Sequence, residues 1–351
     1  MLTDNIRKVT PYVPGEQPKV EGELIKLNTN EFPYPPAPSV QEAMDELQLD
    51  ELRLYPNVTA APLAQAIAEY HGFDEDEVFV GVGSDDVLAN CFLTFFAGDK
   101  PILFPDVTYS FYDVWAKLYK IPFTYVPLDE NFRIRKEDYM CENGGIVIAN
   151  PNAPTGIAEG MDWIEDIVKN NPESVVIVDE AYVDFGGQSS LPLVRKYDNL
   201  VIVRTYSKSR AFAGMRIGYA ISNKKLIGYL NAVKFSINSY TMNRTAITYG
   251  VASLKDDDYF KKTVQKVIDT REKYKKELEK IGFICLDSRS NFIFATHNSV
   301  KAVDIFEFLK TKNIYVRHFK AARIDNYLRI TVGTDEQMER LVKALKELLD
   351  K

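Results

Sequence analysis

The chain has 351 residues, a length that suits two domains and a sizeable core. Lys and Arg number 43 against 50 Asp and Glu, and the resulting charge of −7 offers no basic field for nucleic acid. The stretch Met1–Lys8 lacks the apolar core of a signal peptide, and no run of about 18 apolar residues is free of charge, so a cytoplasmic protein without membrane or nucleic-acid partners is expected. Cys91, Cys141 and Cys285 are odd in number and widely spaced, which fits neither a disulfide framework nor a zinc site, and they read as small buried hydrophobes. His71, His297 and His318 are the only histidines, too few for His-rich metal sites, and no metal is expected.

In chain order, Pro11–Pro38 is so rich in proline that it reads as an extended arm, of the kind that crosses to a partner subunit. His71 before Gly72 marks a helix end. Short apolar runs then predict strands at Val78–Val80, Ile102–Phe104, Phe123–Val126, Ile146–Ala149, Val175–Val178, Leu200–Val203 and Ile217–Ile221. Helical patterns such as Asp85–Phe96, Tyr109–Tyr119 and Trp163–Lys169 separate them, so most strands should run parallel through right-handed crossovers. Between Val203 and Ile217 no helical pattern exists, which predicts an antiparallel return and a functional loop.

After Ile221 come long helices, Lys224–Phe235, Thr241–Leu254 and Tyr259–Lys280. The tail reads as strands Phe283–Leu286 and Phe292–Ala295, helix Val300–Lys312, strands Ile314–Arg317 and Tyr327–Val332, and helix Glu336–Leu349. The expected fold is α/β: a large domain (39–258) with a mostly parallel mixed sheet of about seven strands flanked by helices, a smaller α+β C-terminal domain (259–351) and the N-terminal arm (1–38).

Ligands of open α/β sheets sit beyond the carboxyl ends of the strands, so the residues that follow each run matter most. After Val80 stands Gly81-Val82-Gly83-Ser84-Asp85-Asp86, two glycines before a helix N-terminus that favours an anion. Asp86 occupies the place of the third glycine of a dinucleotide fingerprint, which argues against a nicotinamide enzyme but leaves a phosphate site. After Ala149 comes the turn-rich Asn150–Gly156, and after Val178 come Asp179, Glu180, Ala181 and Tyr182. Those carboxylates could hold magnesium or a protonated ring nitrogen, and the lack of a nucleotide-binding P-loop disfavours the first.

After Val203 stand Thr205, Tyr206, Ser207 and Lys208, with Arg210 and Arg216 following. A lone loop lysine is ordinarily a solvated charge. Here cationic neighbours would free its amine as a nucleophile. A Schiff-base lysine, a carboxylate, a phenol, and Ser, Arg and helix-end N–H groups are the parts a pyridoxal-phosphate site needs.

These segments, with Asn28-Thr29-Asn30-Glu31, Arg53-Leu54-Tyr55-Pro56, Gly214–Gly218 and Leu328–Gly333, give a chain that resembles the fold-type I pyridoxal-phosphate-dependent aminotransferases along nearly its whole length. The resemblance implies that Lys208 holds pyridoxal 5′-phosphate, Asp179 pairs with the pyridinium nitrogen, Tyr182 bonds the ring hydroxyl and Tyr109 stacks on the ring. It implies a phosphate cradle of Ser84, Asp85, Ser207 and Arg216, completed by Tyr55 from the other subunit of a homodimer. For Tyr109 and Tyr55, ordinary aromatic packing is the bland alternative. The family's loop carries Asn immediately before Pro-Thr-Gly, where this chain has Ala153, so Asn152 is the expected substitute.

The implied chemistry is a ping-pong transamination in which Lys208 moves a proton and a 2-oxo acid, 2-oxoglutarate, takes up the nitrogen given by a phosphate-bearing amino donor. Arg329 would take the carboxylate and Arg317 the substrate phosphate, with Tyr12, Asn30 and Glu31 lining the far end. Surface salt bridging is the competing reading for both arginines. A broad or aromatic aminotransferase shares nearly all these residues, and a threonine-phosphate decarboxylase would share the fold but release carbon dioxide. A cofactor-sensing regulator would need a DNA-binding domain, for which this acidic chain offers no segment.

Overall fold

The computed structural model describes residues 6–350. A two-residue strand β1 (Ile25–Lys26) and helices α1 (Pro38–Asp45) and α2 (Ala61–His71) lead into the main sheet. Helix α2 ends as its sequence predicts, with Gly72 at φ 74° accepting the left-handed turn.

The main sheet comprises β2 (Val78–Gly81), β3 (Ile102–Pro105), β4 (Phe123–Val126), β5 (Gly145–Ala149), β6 (Val176–Asp179), β7 (Leu200–Thr205) and β8 (Gly218–Ile221). Helices α3 (Ser84–Phe95), α4 (Tyr112–Tyr119) and α5 (Met161–Asn170) are interleaved with them. The strand order is β2-β8-β7-β6-β5-β3-β4, and every pairing is parallel except those of β8 with β7 and β2. Strands β5, β6 and β7 are buried along their whole length, which is why they read as continuous apolar runs. Their side chains alternate between two cores: Ile146, Ile148, Val176, Val178, Leu200 and Ile202 on one face, Val147, Ile177, Val201 and Val203 on the other.

Helices α6 (Lys224–Ile237), α7 (Arg244–Ser253) and α8 (Asp257–Lys280) follow. Then come β9 (Phe283–Cys285), β10 (Phe292–His297), α9 (Ala302–Thr311), β11 (Ile314–Tyr315), β12 (Arg317–His318), β13 (Leu328–Thr331) and α10 (Asp335–Leu349). Strands β12-β13-β10-β9 form an antiparallel sheet. The single strand expected at Ile314–Arg317 divides at Val316, because β11 pairs in parallel with β1 while β12 turns to pair with β13.

The arm has specific anchors. Asn28 Nδ2 donates to the Glu16 carbonyl, and Arg7 reaches the Leu118 carbonyl at the end of α4. Tyr12 stacks on Phe111 with ring centroids 4.1 Å apart. Arg323, between β12 and β13, meets Asp106 after β3 at 2.8 Å and the Asp129 carbonyl at 2.7 Å. Cys91 is buried as expected, but Cys141 is exposed, because it follows the short helical turn Lys136–Tyr139 at the surface. Among the described residues no helix is long and apolar enough to cross a membrane.

Candidate active site

The carboxyl ends of β5, β6 and β7 and the start of α3 converge on a cleft with about 540 Å³ of empty space, bounded by Ser84, Asp85, Tyr109, Asp179, Tyr182, Ser207, Lys208 and Arg216. Eight residues singled out from sequence thus share one cavity, although they come from five separate stretches of the chain.

Asp179 ends β6 and its carboxyl is buried. Oδ2 accepts from the Tyr112 hydroxyl at 2.9 Å and Oδ1 from the Ala181 N–H at 3.1 Å. Burial pushes its pKa up to about 6, against the pull of those two donors. Among the described residues no cationic side chain forms an ion pair with it. A buried carboxylate without a cation is costly unless one arrives with a ligand.

The turn before α3 is built for close approach. Gly83 sits at φ 86°, and a Cβ there would come within 2.4 Å of the Arg216 guanidinium. A Cβ on Gly218 would lie 2.2 Å from the Gly83 carbonyl carbon, so packing requires glycine at 218, while the left-handed backbone requires it at 83. The first-turn N–H groups of α3 point into the cleft end where an anion is favoured. Arg216 donates to Ser207 Oγ at 3.2 Å and lies 3.6 Å from Asp85 Oδ2. The antiparallel return of β8 explains this pairing, since Thr205 and Gly218 are register partners and their neighbours meet.

Lys208 stands on the opposite wall with Nζ 5.6 Å from the Tyr182 ring centre. Arg210 does not accompany it, contrary to expectation: its guanidinium donates to the Ser253 carbonyl and lies over the Tyr70, Tyr206 and Phe260 rings. The Tyr109 hydroxyl donates to Asp85 Oδ1 at 2.7 Å, and burial followed by Asp85 holds its pKa well above the ordinary phenol value. The Tyr182 hydroxyl accepts from Asn30 Nδ2 at 2.9 Å.

Other expected residues lie differently. Asn152 does not line the cleft: its Oδ1 accepts from Thr108 at 2.8 Å and its Nδ2 donates to the Val107 carbonyl at 2.9 Å, so Ala153 takes the wall position. Asn30 is buried at φ 56°, held by Thr331 and Asn291, and serves Tyr182. Glu31 turns away to an ion pair with Lys26 at 2.7 Å. Tyr55 is 78% exposed and packs on Tyr240, outside the cleft of its own chain.

Arg317 and Arg329 are direct cross-strand partners on β12 and β13. Like charges so placed repel, an arrangement that gains from an anion between them. Arg329 bonds the Asn28 carbonyl at 3.2 Å, and its buried Nε finds no partner among the described residues. Burial first, and Arg317 in addition, draw its pKa below the usual arginine value. Arg317 is engaged by the Val13 and Pro14 carbonyls of the arm, each at 3.3 Å.

Two features had no sequence signal beyond an apolar or charged position. Tyr112, buried beneath Asp179, reads as a core aromatic beside Trp115. Beneath the floor, Glu180 is paired with Arg204 at 2.8 Å, Ser189 bonds both, and Ser209, next to Lys208, donates to Asp184. Arg204→Met strands the Glu180 carboxylate, whose side chain is fully buried, and is expected to lower unfolding stability by about 3–5 kcal/mol. Urea titration of the two proteins would check it, and a loss below about 1 kcal/mol would show that Glu180 is satisfied without Arg204.

Carboxylate, amine, phenols and a helix N-terminus share one cleft, and the chain belongs to the class I and II aminotransferase family, whose description matches residues 22–345. Enzymes of this family work with pyridoxal 5′-phosphate, and the residues present fit that group: the uncompensated Asp179 for its ring nitrogen, the Gly83 turn with Ser207 and Arg216 for its phosphate, and Lys208 for its aldehyde. More narrowly, the chain is 50% identical to the histidinol-phosphate aminotransferase of Lactococcus lactis subsp. cremoris over 99% of its own length and 97% of the relative's. It is 52% identical to the enzyme of that name from Acinetobacter baylyi, covering 97% and 95% of the two chains. The fold matches a solved histidinol-phosphate aminotransferase of Sinorhizobium meliloti in complex with pyridoxal 5′-phosphate, with TM-score 0.85 and 23% identity over 93% of this chain and 91% of the other.

Proposed function

We propose that the protein transfers the amino group of L-histidinol phosphate to 2-oxoglutarate by a ping-pong reaction, the step that histidine synthesis requires. The relatives at about half identity over nearly the full length support the substrate, and the Arg317–Arg329 pair is the structural observation that carries it. One site must accept a phosphate ester in one half-reaction and a dicarboxylate in the other, and two adjacent guanidinium groups serve both.

Bound pyridoxal phosphate supplies the electron sink that makes the substrate α-hydrogen acidic. Asp179 keeps the ring nitrogen protonated, and Tyr182, itself held by Asn30, addresses the ring hydroxyl. Lys208 Nζ would remove the substrate α-proton and deliver it to the carbon on the far side of the substrate nitrogen, acting as base and then acid. Arg329 fixes the carboxylate of glutamate and 2-oxoglutarate, and Arg317 leaves the arm carbonyls for the phosphate of the donor. Tyr109 flanks the ring, and Tyr12 on the arm narrows the mouth.

A homodimer completes this reading. Tyr55, Leu49, Leu52 and Ile237 expose large apolar surfaces, a patch that a second copy would cover while its own Tyr55 reaches this phosphate cradle. Sedimentation of a dimer supports the arrangement, and a stable monomer with full activity contradicts it.

The test of substrate is spectroscopic. Protein loaded with pyridoxal phosphate is mixed separately with L-histidinol phosphate, phenylalanine and glutamate, with no oxo acid present. The cofactor absorbance should convert at the lowest concentration with histidinol phosphate. Arg317→Gln should raise that concentration roughly 10–100-fold while changing the response to glutamate far less. Better conversion by phenylalanine would replace the named donor with an aromatic amino acid.

A further inference from the structure

We propose that Tyr112 is a positioning residue of this site, holding Asp179 as an ionised carboxylate with its free lone pairs turned into the cleft. The proposal rests on the cofactor reading above.

Tyr112 opens α4, one turn after Tyr109, and is completely buried among Phe92, Phe104, Tyr109 and Trp115. Its ring is therefore fixed on all sides, and its hydroxyl donates to Asp179 Oδ2 at 2.9 Å. Burial, followed by the charge of Asp179, raises its own pKa well above the ordinary phenol value, so the phenol keeps its proton and donates it to the ionised carboxylate. A hydrogen bond donated to a charged oxygen is stronger than one to a neutral oxygen, so this donor favours the ionised form of its partner over the acid.

The geometry also limits the carboxylate's freedom. With Oδ2 tied to Tyr112 and Oδ1 to the Ala181 N–H, the carboxylate plane is fixed from both ends. Tyr109 and Tyr112 thereby act in parallel from one helix start, the first anchoring on Asp85 beside α3 and the second on Asp179 after β6. The turn that leads into α4 thus carries Tyr109, the ring assigned to the cofactor face, and α4 itself carries Tyr112, which holds the charge facing its nitrogen.

The other titratable groups around Asp179 do not replace this donor. Asp85 and Glu180 each raise its pKa, Glu180 being committed to Arg204. Lys208, Arg216, Tyr109 and Tyr182 share the cavity wall, and no ion pair links Asp179 to either cation among the described residues. Removal of Tyr112's hydroxyl leaves one donor, the Ala181 N–H, against the full burial of the charge.

The experiment compares wild type, Tyr112→Phe and Tyr112→His as apo-proteins titrated with pyridoxal 5′-phosphate between about pH 5 and pH 9. Bound cofactor is read by absorbance and folding by circular dichroism. In Tyr112→Phe the acid limb of the affinity profile should move up by about one pH unit, with binding at neutral pH roughly tenfold weaker. Tyr112→His, which keeps an N–H near the carboxylate, should recover most of that loss. Superimposable wild-type and Phe profiles would overturn the proposal, as would a His profile no better than Phe. If the Phe protein does not fold, the His protein decides: a profile near wild type supports the donor role, and one displaced like that of Asp179→Asn overturns it. Failure of the wild-type protein to bind the cofactor at any pH would instead remove the reading on which the proposal stands.

Discussion

Replacement of Lys208 by Ala is expected to reduce transamination by roughly four orders of magnitude, the upper range for loss of a positioned acid–base group. Arg210 does not stand beside it, being occupied by the Ser253 carbonyl and three aromatic rings. Among the described residues Lys208 is the one lysine that lines the cleft, so no second amine is placed to take over the proton at the substrate α-carbon. The half-reaction with L-histidinol phosphate, followed by stopped-flow absorbance, isolates this step from product release. The truncation also leaves an empty slot beside Tyr182, so a small primary amine added to the buffer should restore part of the rate. Retention of more than about 1% of the wild-type rate without added amine would assign the proton to another group.

Asp179→Asn should act with opposite signs on stability and on cofactor retention. In the apo-protein the wild-type carboxyl is held at a pKa of about 6 against 3.8 for an unperturbed aspartate, so between those values the folded state binds more protons than the unfolded chain. Stability of the apo-protein must then fall as pH rises through that window, and the ionised form above it costs on the order of 3 kcal/mol. Asn accepts from Tyr112 without carrying charge, which removes this slope. Urea unfolding at acid and neutral pH should therefore show the variant gaining on wild type as pH rises, by about 1–3 kcal/mol. Its affinity for pyridoxal phosphate should meanwhile drop roughly 100-fold, because the protonated ring nitrogen loses its only counter-charge. An Asn variant whose stability advantage does not change with pH would show that Asp179 ionises freely in the empty site.

The main sheet was legible because its central strands are buried on both faces and so appear as unbroken apolar runs. The reversal of β8 was legible from something missing, the absence of a helical pattern before Ile217. Less could be read where one or two residues decide the pairing. Nothing marks Ile25–Lys26 as a strand, since a two-residue bridge to β11 has no periodicity. The same brevity hides the break at Val316. In the site, charged and Gly-rich segments at strand ends announced themselves, whereas Tyr112 did not, because a buried phenol that serves a carboxylate has the same sequence signature as one that fills the core. Asn152 misled for the complementary reason: adjacency along the chain says nothing of which way a turn points, and here the neighbouring Ala153 faces the cleft. Glu31 shows the same, its charge absorbed by Lys26.

Asn30 touches both halves of the molecule at once. Its carbonyl and amide are held by Asn291 and Thr331 of the small antiparallel sheet, while its Nδ2 reaches Tyr182 beyond β6 of the large one. The same small sheet carries Arg317 and Arg329. On the reading proposed above, an anion held by those arginines and the bond from Asn30 to Tyr182 rest on the same small sheet, so a shift of that sheet by the one is expected to alter the other, and the reverse to the same degree.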